Sequence, residues 1–478
     1  MTAPLPLMIP GNHRSTDSVT VTAPYDNSPI ATLQAADAAA VETALATAYQ
    51  LFRDRDQWLS ADTRIGILKR TAELMREQAE VLALEAAREG GKPLVDSRVE
   101  VARAIDGVEN CIECIRSNHG QEIPMGINPA SEQHIAFTHK EPIGVVVAIS
   151  AFNHPLNLAV HQIGPAIASG CPVIIKPAED TPLSCYRFVS LLREAGLPEG
   201  WCQALVVSEL DNATRLVTDE RVGFFSFIGS AAVGWMLRSK LAPGTRCALE
   251  HGGAAPVIVE ADAELDAALP LLAKGGFYHG GQVCVSVQRV YCHQSIARQV
   301  AEQLAELGRQ QVLGDPTKAE TEVGPLIRPA ELERVHSWVT EAIEAGAELL
   351  SGGEIEGSCY QPTVLLNPPE DAQVSCKEIF GPVICVYSYD DVDDALARAN
   401  ALPVAFQAAV FTRDINKALH VYKRFDASAV MINDFTAFRV DWMPFAGLRH
   451  SGLGVGGIPY TFEDMQIEKL MVIKSAAI

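Results

Sequence analysis

Helical spacing dominates the first part of the chain. Residues 36–57 and 61–88 carry Ala, Leu, Glu and Arg with apolar positions three and four apart, and Ser60 and Asp62 stand where a helix cap would sit. Gly90-Gly91-Lys92-Pro93 closes the second helix, and another is expected over about 94–117. At 143 the texture changes. Ile143 to Ile149 is an unbroken apolar run of strand length, as expected of a strand buried on both faces. A helix from Leu156 to Ala168, a strand at Pro172 to Ile175, a helix from Leu183 to Ala195, and strands at Ala204 to Val207 and Gly223 to Phe227 follow. This alternation predicts an α/β fold with a parallel, doubly wound sheet. Residues 251–450 repeat it at longer range, with helices near 263–280, 295–312, 330–345 and 391–400, so a second doubly wound α/β domain is expected. The segments 121–141, polar and extended, and 462–474, strand-like at its end, fit neither domain.

The length of 478 residues agrees with more than one core. With 48% hydrophobic and 20% charged residues the chain reads as globular, and its formal charge of −21 argues against a nucleic-acid partner. No segment reaches the length of apolar residues needed to cross a bilayer. Met1 to Arg14 lacks a basic start and is broken by Pro4, Pro6 and Pro10, so it does not read as a signal peptide, and a cytoplasmic protein is the expectation. Eleven cysteines spread over the chain fit reduced thiols better than a disulfide framework. Cys111 and Cys114 form a CxxC without a second one. A metal or redox pair is one reading, and two apolar positions on one helix face is the better one, so no metal site is expected.

The chemistry concentrates in separate short strings. Cys284 stands in Gly280-Gly281-Gln282-Val283-Cys284, just after a glycine pair where a tight backbone can open onto a site. Upstream lie Phe152-Asn153-His154-Pro155, Lys176-Pro177-Ala178-Glu179, Phe227-Ile228-Gly229-Ser230 and Glu250-His251-Gly252-Gly253. Downstream come Glu378-Ile379-Phe380-Gly381-Pro382 and Pro444-Phe445-Ala446-Gly447. No GxGxxG follows a strand, so the usual dinucleotide fingerprint is absent. A strand, Gly turn and helix start at 227–234 could instead turn helix N–H groups toward a pyrophosphate.

A thiol, an amide, a Lys/Glu pair and two further carboxylates in this order resemble the NAD(P)-dependent aldehyde dehydrogenase superfamily over nearly the whole chain. The resemblance implies two doubly wound domains plus a small β element for oligomerisation. It assigns 1–121 and 142–250 to NAD(P) binding, 251–450 to catalysis, and 122–141 with 460–478 to a homodimer or homotetramer contact. It implies that Cys284 attacks the aldehyde, Asn153 with a backbone amide holds the oxyanion, and Glu250 directs water onto the thioester. Such a thioester arises when the thiohemiacetal loses hydride, since a free aldehyde carries no good hydride donor. It places Lys176 and Glu179 at the adenosine ribose, Gly229 and Ser230 at the pyrophosphate, and Glu378 and Phe380 at the nicotinamide ribose. A Glu at 179 favours NAD, with NADP possible because Lys176 suits a phosphate.

The string Phe438-Arg439-Val440-Asp441-Trp442-Met443-Pro444-Phe445 resembles the branch acting on small polar aldehydes and acid-bearing semialdehydes. Arg439, with His154 or Asn157 as further candidates, would then favour a hydroxylated or anionic substrate. Alternatively, Arg439 pairs with Asp441 or a neighbouring loop and never meets substrate. The chain departs from the family pattern at Phe152, Ala231, Ala232, His251 and Ala446. Two alternatives to a hydrolytic dehydrogenase stand beside it: a catalytically retired member with a structural or binding role, and an acylating dehydrogenase that passes the acyl group to coenzyme A. The Glu at 250 disfavours the second.

Overall fold

The computed structural model describes residues 4–11, 13, 15 and 17–477, so the expectation about Met1 to Arg14 falls partly outside the described residues. Six strands form the first sheet, in the order Gly452–Leu453, Arg246–Glu250, Val222–Ile228, Val145–Ile149, Val173–Lys176 and Cys202–Ala204. All neighbours are parallel except Gly452–Leu453, which runs antiparallel to Arg246–Glu250. The unbroken apolar run at 145–149 has its cause here. Val146 and Ala148 enter one core with the helices Ala61–Glu77, Leu94–Ser117, Asn157–Ser169 and Pro182–Glu194, while Val145 and Val147 enter another with Ala38–Arg53. Both faces of the strand are covered, so neither can carry polar residues.

The sheet winds outward in both directions from Val145–Ile149, toward Val173–Lys176 on one side and Val222–Ile228 on the other. Crevices at such switch points lie beyond the carboxyl ends of the strands. Asn153, Lys176, Gly229 and Glu250 all stand at or just past those ends.

Seven strands form the second sheet: Glu348–Ser351, Thr363–Leu366, Val383–Tyr389, Val287–His293, Ala255–Val259, Gln407–Phe411 and Ala429–Ile432. Only Glu348–Ser351 is antiparallel to its neighbour. Cys284 precedes Val287–His293, in the turn that follows helix Leu265–Phe277. The two segments that fit neither domain meet each other. Gln466–Lys474 pairs antiparallel with His134–Pro142 over its whole length, and Glu122–Ile123 adds a third strand.

Four features differ from the sequence reading. The helix expected over 61–88 is two, Ala61–Glu77 and Ala79–Gly90, broken at Gln78 without a Pro or Gly. The strand expected at 204–207 pairs as Cys202–Ala204, because its ladder is set by Val173–Ile175. Helices Leu210–Thr218 and Ile415–Arg424 were not foreseen. Residues 452–464 cross the expected boundaries at 450 and 460: Gly452–Leu453 joins the first sheet, and helix Ile458–Asp464 buries Ile458 and Phe462 in the first core. No described helix is long and apolar enough to cross a membrane.

Candidate active site

The carboxyl ends of the first sheet and the Cys284 turn of the second enclose a cavity of about 750 Å³. All twelve residues singled out from the sequence line it: Asn153, His154, Asn157, Lys176, Glu179, Gly229, Ser230, Glu250, Cys284, Glu378, Phe380 and Arg439.

The thiol is presented by an unusual turn. After helix Leu265–Phe277 the backbone passes through His279, Gly280 and Gly281, at φ of 50°, 60° and 70°. At Gly281 a side chain is impossible, since a Cβ would lie 2.0 Å from the Gly381 carbonyl oxygen. Gln282 pins the turn from beneath. Its Nε2 donates to the carbonyls of His279 (3.2 Å) and Pro325 (3.3 Å), and its Oε1 accepts from the Ile327 N–H at 2.9 Å. Asn153, buried just past the strand Val145–Ile149, donates from Nδ2 to the Gln282 carbonyl at 2.9 Å. One amide hydrogen thus fixes Asn153 to the cysteine turn, which leaves the second for a ligand.

Burial pushes the Cys284 thiol up to about 12, and the carboxyls of Glu378 and Glu250 add to the shift while Arg439 opposes it. Burial likewise raises Glu250 to about 7 against the pull of Arg439. A carboxyl near neutrality can both take and hold a proton, as a general base requires. Its place depends on Gly456, where a Cβ would lie 2.0 Å from Glu250 Oε1. His251 stands next in the chain. Its Nδ1–H donates to the Gly229 carbonyl at 2.8 Å, and its ring packs edge-on against Phe227. The imidazole therefore ties the Glu250 strand to the glycine turn and does not compete for the thiol.

The remaining lining suits a dinucleotide. Ser230 begins helix Ala231–Arg238 without a side-chain cap, so backbone N–H groups of the first turn remain free for an anion. Glu378 Oε1 is buried with no hydrogen-bond partner among the described residues, and burial raises its carboxyl to about 8. Such an orphan acceptor fits a ribose hydroxyl. A Cβ at Gly252 would lie 1.6 Å from that same oxygen, so the glycine makes room for it. Phe380, at φ 50°, sets its ring edge-on to Phe152 with centroids 5.8 Å apart. Lys176 Nζ meets Glu179 Oε1 at 3.3 Å, with the carboxylate half exposed.

At the other end the cavity is basic. Asp441 is not the partner of Arg439. It accepts two bonds from Arg103 (2.7 and 3.1 Å), one shared with His161 (2.7 Å) and one from Asn157 (3.3 Å). Burial alone would raise its carboxyl, but the His161 bond and the Arg103 charge hold it well below the usual range. Arg439 instead lays its guanidinium 3.8 Å from the Phe445 ring centre, and its Nη1 is buried with no partner among the described residues. Asn157 lines the cavity, yet its amide is committed to Asp441. Arg103 and His161 escaped the sequence reading. His161 had a local signal, four residues after Asn157 on one helix face, whereas Arg103 meets the site only through packing of Leu94–Ser117 on Asn157–Ser169.

Cys111 and Cys114 are buried in helix Leu94–Ser117, where Cys111 Sγ would stand 2.8 Å from a Cβ at Gly164. They are core residues.

A 3-sulfolactaldehyde dehydrogenase of Priestia aryabhattai is 37% identical over 94% of this chain and 93% of its own. Aldehyde dehydrogenase 21 from Physcomitrella patens, solved with the reaction product succinate, superposes with a TM-score of 0.94 at 32% identity, covering 99% of both chains. A glyceraldehyde-3-phosphate dehydrogenase from Methanocaldococcus jannaschii complexed with NADP superposes at 0.91, with 33% identity over 97% of this chain and 100% of its own. The model of the aldehyde dehydrogenase family matches residues 12–471. A thiol in a pinned turn, an amide tied to it, a carboxyl near neutrality and room for a dinucleotide thus have a common origin: the chain belongs to the aldehyde dehydrogenase family and is an NAD(P)-dependent enzyme.

Proposed function

We propose that this enzyme oxidises small aldehydes bearing a second polar or acidic group to free carboxylic acids, through a thioester on Cys284. The observation that carries the substrate half is Arg439, whose Nη1 lies buried in the cavity wall with no partner among the described residues. A buried guanidinium nitrogen left unpaired is costly, and a substrate carboxylate, sulfonate or phosphate would satisfy it with a charge-assisted bond. The relatives' names point the same way, since sulfolactaldehyde, succinate and glyceraldehyde 3-phosphate each carry an acid group.

In this reading the free amide hydrogen of Asn153 and the Cys284 backbone N–H hold the aldehyde oxygen as it gains charge. The Cys284 sulfur bonds the carbonyl carbon while its thiol hydrogen ends on the carbonyl oxygen, giving a thiohemiacetal. Loss of hydride from the carbon and of the proton from that oxygen leaves a thioester. NAD(P), when bound, supplies the acceptor for that hydride. Glu250 then takes a proton from the water that cleaves the thioester, which favours hydrolysis over transfer to coenzyme A. Glu378 and Phe380 would hold the nicotinamide ribose, Gly229 and Ser230 the pyrophosphate, and Lys176 and Glu179 the adenosine ribose. Glu179 disfavours a 2′-phosphate, so NAD is the expected cofactor over NADP. No departure from the family pattern removes one of these groups, which argues against a retired member.

We assign residues 1–121 and 142–250 to cofactor binding and 251–450 to catalysis, with 452–464 added to the first on its packing. The strands Gln466–Lys474 and His134–Pro142 would serve a homodimer or homotetramer, because Ile467, Leu470, Met471, Val472 and Ile473 are exposed on an edge strand. The test is NADH or NADPH formation with succinic semialdehyde, a sulfonated aldehyde and neutral aldehydes of similar size. The acid-bearing aldehydes should be favoured in wild type, and Arg439→Met should remove most of that preference. An unchanged preference would sink the role of Arg439, and no turnover with any aldehyde would sink the function.

A further inference from the structure

His154 is the residue after Asn153, and its ring lines the cavity with 12% of its side chain exposed. Behind it lies Lys92, a lysine with no exposed side-chain surface. Lys92 Nζ lies 2.7 Å from His154 Nδ1 and 2.5 Å from Glu100 Oε2. Burial pulls the Lys92 pKa down, and the charge and hydrogen bond of Glu100 oppose that pull. Kept as an ammonium by this carboxylate, Nζ has hydrogens to give and no lone pair to receive one, which makes Nδ1 the acceptor. The neutral ring then carries its hydrogen on Nε2. Glu100 keeps the arrangement rigid. Its other oxygen, Oε1, accepts the backbone N–H groups of Leu156 and Asn157, both at 3.0 Å, so the carboxylate braces the very turn that carries His154.

We propose that Lys92 locks His154 as a neutral Nε2–H donor facing the cavity, and that this donor selects aldehydes with a hydroxyl on the carbon next to the carbonyl. The proposal rests on the reading of the site as an aldehyde-oxidising one and adds a second recognition element to it. Asn153 addresses the aldehyde oxygen, so a donor one residue further along the same turn meets the neighbouring part of the substrate. Arg439, from another segment, takes the acid group. Two separate donors in one cavity suit a substrate with two separate acceptors. The substrate class that follows is a short 2-hydroxyaldehyde, with an acid group at its far end.

Lys92 is a positioning residue here and His154 a specificity residue. Losing one hydrogen bond to a bound hydroxyl is worth about tenfold in kcat/KM. The test compares 2-hydroxypropanal with propanal, which lacks only the hydroxyl. In His154→Phe the kcat/KM for 2-hydroxypropanal should fall about tenfold relative to that for propanal. His154→Gln, which keeps a side-chain N–H, should recover part of the loss. Equal losses for both aldehydes, or an unchanged ratio, would overturn the selection. The lock is read separately from the imidazole 15N shifts of the folded wild type, assigned with His154→Phe: the proposal requires protonated Nε2 and bare Nδ1, and the opposite tautomer overturns it. Wild type that oxidises no aldehyde, with the Nε2–H tautomer present, would place the failure in the reading of the function and overturn the selection with it.

Discussion

With burial and the carboxyls of Glu378 and Glu250 holding its thiol up at about 12, Cys284 is protonated at neutral pH, and the thiol is a far weaker nucleophile than the thiolate. Charge removal beside it should therefore move its reactivity in opposite directions. Alkylation by iodoacetamide at pH 9, where the Glu378 carboxyl at about 8 is ionised and the Cys284 thiol is not, should speed up in Glu378→Gln and slow down in Arg439→Met, each by a few-fold, read from the mass of the Cys284 peptide over time. Shifts of the same sign in both variants would contradict the assigned electrostatics. Glu250 sets a second pH dependence. Its carboxyl is raised to about 7 by burial, and only the ionised form can take a proton from water, so thioester hydrolysis should rise as pH increases through about 7. In Glu250→Gln that rise should vanish and NADH should appear as a burst followed by a slow phase. Cys284, Asn153 and Glu250 could be singled out because the order of their short strings resembles the aldehyde dehydrogenase pattern, and all three line one cavity. Lys92, Glu100, Arg103 and His161 could not, because their partners lie on other segments and no local spacing brings them together.

Among the elements, helix Pro182–Glu194 shows how a buried carboxyl can serve structure alone. Glu89, fully buried at the end of Ala79–Gly90, accepts the N–H groups of Leu183 and Ser184 at 2.7 and 2.8 Å. It satisfies two of the orphan donors at that helix start. Burial raises the Glu89 carboxyl to about 8, so it is largely protonated at neutral pH. Glu89→Ala should lower stability by about 1–3 kcal/mol in urea unfolding, since the buried N–H donors lose their acceptor. The kcat of the folded fraction should hold, because Glu89 does not line the cavity. The helix expected over about 94–117 is observed as Leu94–Ser117, since Pro93 stands at its start and buried apolar positions recur at helical spacing from Val101 to Ile115. The break at Gln78 had no such marker: Glu77 and Ala79 are both good helix formers, and the helices on either side of it both pack on Leu94–Ser117 and Pro182–Glu194.

For the whole molecule, the strand–helix alternation was enough to foresee two doubly wound sheets, because a strand covered on both faces writes itself as an apolar run. It could not foresee that 452–464 returns to the first core, a contact made across some 300 residues with helices Leu94–Ser117 and Asn157–Ser169. The exposed apolar side chains of Gln466–Lys474 mark the surface where self-association is expected. Leu470→Glu combined with Val472→Glu should shift the protein to monomers in sedimentation velocity, and an unchanged sedimentation coefficient would count against this strand as the contact. The central claim is the acyl group carried on Cys284. The most direct measurement is the mass of the Cys284 peptide after Glu250→Gln is mixed with NAD and succinic semialdehyde and quenched in acid. That peptide should carry the added mass of the acyl group, and none should appear in Cys284→Ala. Continued NADH formation without an adduct, or an adduct on another cysteine, would contradict it.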